Sequence, residues 1–377
     1  MELDIVLTSS QESRRDIFCP GQNLKGNAIV RLAERTPLKQ ITLLLRGYEN
    51  LKYFCDILEE GLDKENLDKD KSDHSQFSKQ LMQQRVHSKS LCFLQKELIL
   101  WDIKDYAKQR DSKRRADNNI VRRRAKDDNE INQIQGVLLL PFQFQLPDGL
   151  PPTVRAEGGD ICIDYDLCLR VELDNDFLLK SEGEKNTIRE KSHKLLMAND
   201  GKVLYKNSVF TKPYQKKASL IPKTKKKWFS KTISQEVIIK AGIPTVLYEE
   251  TVGTLIPVTL AMINKSMKKV SSITLRQVQR RKIKYEDDRN FETTAYGPAL
   301  YVNPNCNVLR KNNNTLGPIQ SMLPLAVSLG PTVEGKTIQF TNFVQIEVVL
   351  DDRRSKIELE LPVIILRGKH SPFLQRV

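Results

Sequence analysis

ICIDYDLCLRVEL, residues 161–173, alternates apolar and polar side chains over its whole length. Successive side chains of a β-strand point to opposite sides, so the odd-numbered residues from Ile161 to Leu173 share one face and the even-numbered residues from Cys162 to Glu172 share the other. A period of two with one polar face is typical of an antiparallel sheet that packs on one side only. This stretch therefore predicts a β-sheet layer with a single buried face.

The segment before this strand, LPFQFQLPDGLPPTV (140–154), predicts a strand that stops abruptly and a tight turn. Pro147 presets the first turn position, Asp148 can bond its own downstream backbone, and Gly149 accepts a positive φ. Two further prolines cannot donate hydrogen bonds to a ladder, so pairing ends there. We expect a strand that leaves one sheet and turns back into it, and we assign no binding site to this segment.

Strand patterns continue through the rest of the chain. They lie at 41–47, 137–145, 255–266 and 271–278, and the pair 343–350 and 356–365 reads as a hairpin. Many short strands without a helical period between them indicate β-sandwiches, and 377 residues are enough for two. The predicted fold is all-β, with two consecutive antiparallel β-sandwich domains of immunoglobulin-like type joined by a basic linker.

Two charged insertions interrupt the first half. Residues 56–73 hold eight acids against three lysines, and residues 104–130 mix both signs without a wide apolar face. Neither can bury a core, so we place both at hairpin tips in the first domain, spanning about 56–90 and 104–134.

Composition excludes several classes of protein. No run of eighteen apolar residues is present, and the N-terminal segment lacks the pattern of a secretory signal, so a cytoplasmic protein is expected. The six cysteines are scattered without a C-x-x-C pair, which predicts reduced thiols rather than a zinc site or a disulfide framework. Cys162 and Cys168 share a strand face, but further metal ligands are lacking.

No sequence motif for catalysis is present. P-loop, G-x-S-x-G, G-x-G-x-x-G and H-E-x-x-H patterns are absent, and the four histidines lie in polar or terminal segments. Asp164 and Asp166 lie on the polar strand face, where paired carboxylates are usually plain surface polarity. We expect no enzyme activity, no cofactor and no metal site.

A net charge of +14 predicts an acidic partner, and its densest part lies between the two halves. Residues 202–231 contain ten lysines and no acid, with aromatic residues interspersed. We predict an anionic-lipid or phosphate site there, to which a second basic group after the strand at 271–278 contributes. The residues are Lys223, Lys225, Lys226, Lys227, Trp228, Lys231, Arg280, Arg281 and Lys282. The alternatives are a solvated linker, or a nucleic-acid site for which no RNA- or DNA-binding motif is present.

Several segments resemble arrestin-fold proteins. DIFCPGQNLKGNAIVRLAERTPLKQITLLLRGYE (16–49) is similar to the first strands of that family, and LPFQFQLPDGLPPTV followed by ICIDYDLCLRV looks like the central N-domain block of the α-arrestins. Residues 225–243, 258–282 and 357–368 are similar to the linker and C-domain strands. The resemblance covers most of the chain apart from the insertions and residues 176–200.

The resemblance implies an arrestin-like N-terminal domain over 1–211, a basic linker over 212–232, an arrestin-like C-terminal domain over 233–368 and a short tail over 369–377. It implies a non-catalytic trafficking adaptor that binds cytoplasmic segments of membrane proteins, at the plasma membrane or endosomes. Basic residues of the N-domain that detect phosphates would be Arg14, Arg15 and Lys39.

The sequence departs from the α-arrestin pattern in one respect. Those proteins recruit ubiquitin ligases through P-P-x-Y motifs, whereas Pro151-Pro152-Thr153-Val154 lacks the tyrosine and the given chain ends within ten residues of its last strand. The expected partners are thus either a ubiquitin ligase, bound through a surface other than a P-P-x-Y motif, or coat and sorting subunits. The alternative to an α-arrestin is a retromer-like sorting subunit of the same fold.

Overall fold

A computed structural model describes the chain as two β-sandwiches. It describes residues 1–8, 17–56, 84–105, 133–156, 160–174, 188–199, 210–222, 236–266, 268–284, 290–302, 314–351 and 355–376. Most of them lie in strands, which confirms the predicted all-β fold. No helix among these residues is long and apolar enough to cross a membrane.

The first sandwich is built around one very long strand, β3. Its residues 23–37 pair with β1 and β5, and its residues 40–56 pair with β4 and β7. The register shifts between Leu32 and Thr36 and again between Leu38 and Gln40, so the chain turns a corner around Pro37 and joins the two layers. The strands are β1 (Glu2–Leu7), β2 (Ile17–Phe18), β3 (Asn23–Asp56), β4 (Gln84–Asp102), β5 (Gln133–Gln145), β6 (Val154–Arg155), β7 (Ile161–Leu173) and β8 (Ile188–Met197).

Strand β7 has the predicted two faces. Ile163, Leu167, Leu169 and Val171 are fully buried. On the other face Asp164, Asp166 and Arg170 are only partly covered, although Cys168 is buried there too. On the outer face, Asp166 accepts two hydrogen bonds from Arg46, at 3.0 and 2.8 Å. The hydrogen bond to Asp166 raises the pKa of the Arg46 guanidinium further. The alternation therefore identified the core side of this layer correctly.

The turn at 147–149 forms as predicted, with Gly149 at a φ of 74°. The expectation that the chain turns back into the same layer was wrong. After the turn, β6 pairs with β7, whereas β5 before the turn pairs with the first part of β3. The chain thus leaves one layer at the prolines and continues in the opposite layer. The Tyr165 hydroxyl donates to the Pro151 carbonyl at 2.7 Å, and burial raises the pKa of that tyrosine.

The second sandwich consists of two sheets. One has four strands in the order β16, β12, β10, β9, and the other has seven strands, of which β11, β19, β18, β13 and β14 are neighbours in that order. The predicted hairpin is confirmed as β18 and β19. The strands are β9 (Tyr214–Leu220), β10 (Val237–Ile243), β11 (Leu247–Glu249), β12 (Leu255–Asn264), β13 (Val270–Lys284), β14 (Asn290–Tyr296), β15 (Leu300–Val302), β16 (Asn314–Pro324), β17 (Val333–Glu334), β18 (Ile338–Leu350) and β19 (Lys356–Leu366). A 3₁₀ turn (Val327–Leu329) and helix α1 (Pro372–Arg376) complete it.

The predicted linker over 212–232 needs a correction. Residues 214–220 form β9, which pairs along its whole length with β10 and belongs to the second sandwich. Gln215, Lys217 and Ser219 alternate with the partly buried Ala218 and Leu220, which fits an edge strand with one solvated face.

Residues 57–83 and 106–132 of the two predicted insertions lie outside the described residues, but residues 84–90, predicted as part of the first insertion, belong to β4 and pair with β3. The first joins β3 and β4, which pair up to Asp56 and Gln84. The second joins β4 to β5, which pair with different parts of β3. The domain limits themselves stay a prediction.

Gly26 offers a test of the β1, β3, β5 layer. A Cβ at this position would lie 2.5 Å from the Val6 carbonyl oxygen and 2.7 Å from the Phe142 ring. Neither the ladder backbone nor the buried ring can withdraw easily, so we expect Gly26→Ala to lower the free energy of unfolding by about 2–3 kcal/mol in urea denaturation. Gly317→Ala is the control, because a Cβ there meets nothing within 4 Å. Equal effects of the two variants would contradict the packing.

Candidate functional site

Most of the predicted basic site lies outside the described residues. Residues 223–235, which include Lys223, Lys225, Lys226, Lys227, Trp228 and Lys231, are not among them, and neither are Arg14 and Arg15. Lys39 is described, on β3. Its ammonium lies 3.5 Å from the Glu172 carboxylate, and its side chain is 61% exposed.

The second basic group, Arg280, Arg281 and Lys282, is divided between two faces of β13. Neighbouring residues of a strand point to opposite sides, so Arg280 and Lys282 lie on one face and Arg281 on the other. Arg280 donates to both carboxylate oxygens of Glu360, at 2.6 and 2.8 Å, and its guanidinium lies over the Phe343 ring. The structure therefore does not gather these three cations into one patch.

Arg281 lies on the face of β13 that turns toward the first sandwich. Its Nε donates to Gln279 at 2.8 Å, and its guanidinium lies 5.6 Å from the centre of the Phe340 ring. Phe340, Ile283 and Ile338 are buried in the same apolar cluster as the core of the first sandwich. The two sandwiches consequently share part of one core.

The one buried basic side chain among the described residues is Arg367, directly after β19. Only 2% of its surface is exposed, and its carboxylate partner Glu250 is fully buried. Arg367 Nε donates to Glu250 Oε2 at 2.6 Å and Nη2 donates to Oε1 at 2.8 Å, which is a bidentate pair. Both residues of this pair belong to the second sandwich, but the contacts of Arg367 extend beyond it.

The remaining contacts of Arg367 reach the first sandwich. Its Nη1 donates to the Thr153 carbonyl at 2.6 Å, and its backbone N donates to Asn199 Oδ1 at 2.7 Å. Thr153 belongs to the proline-rich segment to which the sequence assigned no site. We call Arg367, Glu250, Thr153 and Asn199, together with Ser371, the junction cluster.

The C-terminal segment closes the junction cluster from outside. The Ser371 hydroxyl donates to Glu250 Oε2 at 2.8 Å, and the Phe373 ring stacks on the Arg367 guanidinium at 3.9 Å. Leu374 of α1 is fully buried among Ile17, Cys19 and Ala198 of the first sandwich. The segment predicted to be a short tail is thus packed against both sandwiches.

A second junction between the sandwiches is formed by Glu49. Glu49 of β3 is 1% exposed, and its carboxylate accepts hydrogen bonds from the backbone N–H groups of Lys336 and Thr337, at 2.6 and 2.7 Å, and from the Thr337 hydroxyl. A Cβ at Gly335 would collide with the same carboxylate, so only glycine lets this turn approach.

Buried side-chain amides hold the loop at 326–332, beside the junction cluster, in place. Gln277 Oε1 accepts from the Ala326 backbone at 2.8 Å, and Asn342 Nδ2 donates to Thr332 Oγ1 at 3.1 Å. Gln277 and Asn342 also bond each other. Polar groups that are buried and paired in this way specify one arrangement, because leaving any of them unpaired is costly.

Sequence reasoning missed the junction cluster. Arg367 and Glu250 are 117 residues apart, and the acceptors Thr153 and Asn199 act through a backbone carbonyl and a side-chain amide. The one local signal is a charged residue immediately after the apolar strand IELELPVIIL.

The described residues show no arrangement for metal chemistry. No group of three or more histidine, cysteine or acidic side chains among them could hold a metal ion. Burial raises the pKa of the Cys162 thiol to about 11, which makes it unreactive near neutral pH. Asp166 is paired with Arg46 and Asp164 lies 3.7 Å from Arg155, so both carboxylates balance arginines.

Comparison with known proteins identifies the second sandwich. Residues 233–370 match the family model of the arrestin (or S-antigen) C-terminal domain. No curated protein matched the chain. The match covers the second sandwich, and the two β-sandwiches of the chain are consistent with the arrestin two-domain fold.

The junction cluster makes a stability prediction. Arg367→Met leaves the Glu250 carboxylate buried and unpaired, so the free energy of unfolding should fall by about 3–5 kcal/mol. Arg280→Met removes an arginine from a pair with Glu360 that is partly exposed, and should cost at most about 1 kcal/mol. Urea denaturation of both variants measures the difference, and a similar small loss in each would show that the buried pair contributes little.

Proposed function

We propose that this protein is a non-catalytic trafficking adaptor that binds cytoplasmic segments of membrane proteins and directs their endocytosis, sorting or ubiquitination. The observation that carries the proposal is the arrestin-type domain over residues 233–370. The junction cluster supports it, because a fixed arrangement of two sandwiches suits a scaffold that holds partners at set positions.

The proposed location is the cytoplasmic side of the plasma membrane or of endosomes. Cargo would pair with an exposed sheet edge through backbone hydrogen bonds, a mode that needs no special side chains. In the α-arrestin version a ubiquitin ligase is recruited without a P-P-x-Y motif. In the alternative version the protein is a retromer-like subunit that assembles with coat or sorting proteins.

A cross-linked pull-down tests this function. The tagged full-length chain is cross-linked in intact source cells, membranes are solubilised, and partners are identified by mass spectrometry with and without nuclease. We expect membrane proteins together with ligase components in the first version, or with coat and sorting subunits in the second. The adaptor proposal fails if the recovered proteins are nucleic-acid-binding and disappear on nuclease treatment.

The basic segment 223–231 is proposed to hold anionic lipid headgroups or phosphates. Five lysines close to a membrane would contribute about 1 kcal/mol each, and Trp228 suits the membrane interface. We expect replacement of Lys223, Lys225, Lys226, Lys227 and Lys231 by glutamine to abolish sedimentation with phosphatidylserine vesicles at low salt.

The control for this segment is replacement of five exposed lysines elsewhere by glutamine, which removes the same charge; they are Lys25, Lys52, Lys191, Lys194 and Lys265. Wild-type protein that never sediments with the vesicles, or equal losses in both variants, would contradict a lipid site at 223–231.

A further inference from the structure

The outer face of the four-stranded sheet of the second sandwich carries a groove that crosses all four strands. The cross-strand register places Gln215, Gly242, Thr259 and Gln320 in one row, one residue from each strand. Gly242 lowers the centre of the row, since it has no side chain. The groove encloses a volume of about 400 Å³.

The floor of the groove offers hydrogen-bonding groups that the fold does not use. Within the described chain, the side chains of Gln215, Thr259 and Gln320 form no hydrogen bond. Amide and hydroxyl groups can both donate to and accept from a peptide backbone. An extended peptide lying in the row would therefore find partners for its own N–H and C=O groups.

One bank of the groove is basic. Lys217 and Lys240 are directly opposite each other on β9 and β10, and both are exposed. Like charges in this cross-strand position are unfavourable. No acidic residue lies on the outer face of the four strands as described, and neither lysine has a carboxylate partner there. The repulsion would be relieved by acidic groups from outside.

The other bank is apolar. Pro257 lies opposite Met322, and Leu255 lies beyond them. Met322 and Leu255 are each 47% exposed, which is high for large apolar side chains on a sheet surface. The outer face of the other sheet is different, because there Arg280 is paired with Glu360 and Lys356 with Glu358. The groove, by contrast, has lysines on one side and no carboxylate on its four strands.

We propose that the groove binds an extended segment of a partner protein in which acidic and apolar residues alternate. Side chains of an extended peptide point to alternate sides, so acidic residues would reach Lys217 and Lys240 while apolar residues pack on Pro257 and Met322. Neighbouring strands lie about 4.8 Å apart, so the four strands span roughly 14 Å, which about five extended residues would cover. A concave row of amides favours a peptide over a lipid surface.

A defined peptide tests the groove. A fluorescein-labelled seven-residue peptide that alternates leucine and glutamate is titrated with the full-length protein in a fluorescence anisotropy measurement. We expect saturable binding, and about tenfold weaker binding to the Lys217→Gln/Lys240→Gln variant. The same peptide with glutamine in place of glutamate should bind the wild type as weakly.

Two further variants keep the result interpretable. Thr259→Trp fills the groove at an exposed position, so it should abolish binding without lowering the urea midpoint. Lys25→Gln/Lys52→Gln removes two exposed lysines of the first sandwich and should leave affinity within about twofold, as expected for charges remote from the site. An equal loss in this control, no saturable binding to wild type, or retention only on phosphatidylserine vesicles would overturn the proposal.

The inference rests on the proposed adaptor function only in that the partner is a protein. If the peptide does not bind while membrane proteins are still recovered by cross-linking, the groove proposal fails alone. If membrane proteins are not recovered, the adaptor function fails whatever the peptide does.

Discussion

The buried pair of Arg367 and Glu250 is the interaction on which the arrangement of the two sandwiches depends. A buried guanidinium is tolerated only when its charge is matched and its N–H groups are bonded, and here one side chain uses the carboxylate, the Thr153 carbonyl and the Phe373 ring. These partners come from different parts of the chain. The pair can therefore form fully only when both sandwiches and the C-terminal segment are in place.

The second contact, between Glu49 and the turn at 335–337, also matches a buried charge, but here the charge is negative. A buried carboxylate of the first sandwich is matched by backbone N–H groups of the second. A third contact is apolar, because Phe340 and Ile283 enter the core of the first sandwich. Two polar anchors together with an apolar contact resist relative motion of the sandwiches, since such motion leaves buried groups unpaired.

The sequence predicted what depends on local pattern and missed what depends on assembly. Alternation in 161–173 gave the buried face of β7 correctly, and the proline and glycine residues at 147–149 gave the turn. The long β3 could not be predicted, because its corner at Pro37 looks like the end of a strand. The same holds for the junction cluster, since a bond to the Thr153 carbonyl is independent of the side chain at that position. Arg280 and Arg281 were placed in one site from their proximity in sequence, although strand geometry separates them.

The central claim is that the junction cluster fixes the orientation of the two sandwiches. The most direct measurement is the distance distribution, by pulsed electron paramagnetic resonance, between spin labels introduced as unnatural amino acids at the exposed residues Gln143 and Gln320. The account predicts one narrow distribution for the wild type and a clearly broader one for Arg367→Met under conditions in which both sandwiches remain folded. The same narrow distribution in both proteins would contradict the claim and would assign the orientation to the apolar contact and the Glu49 junction.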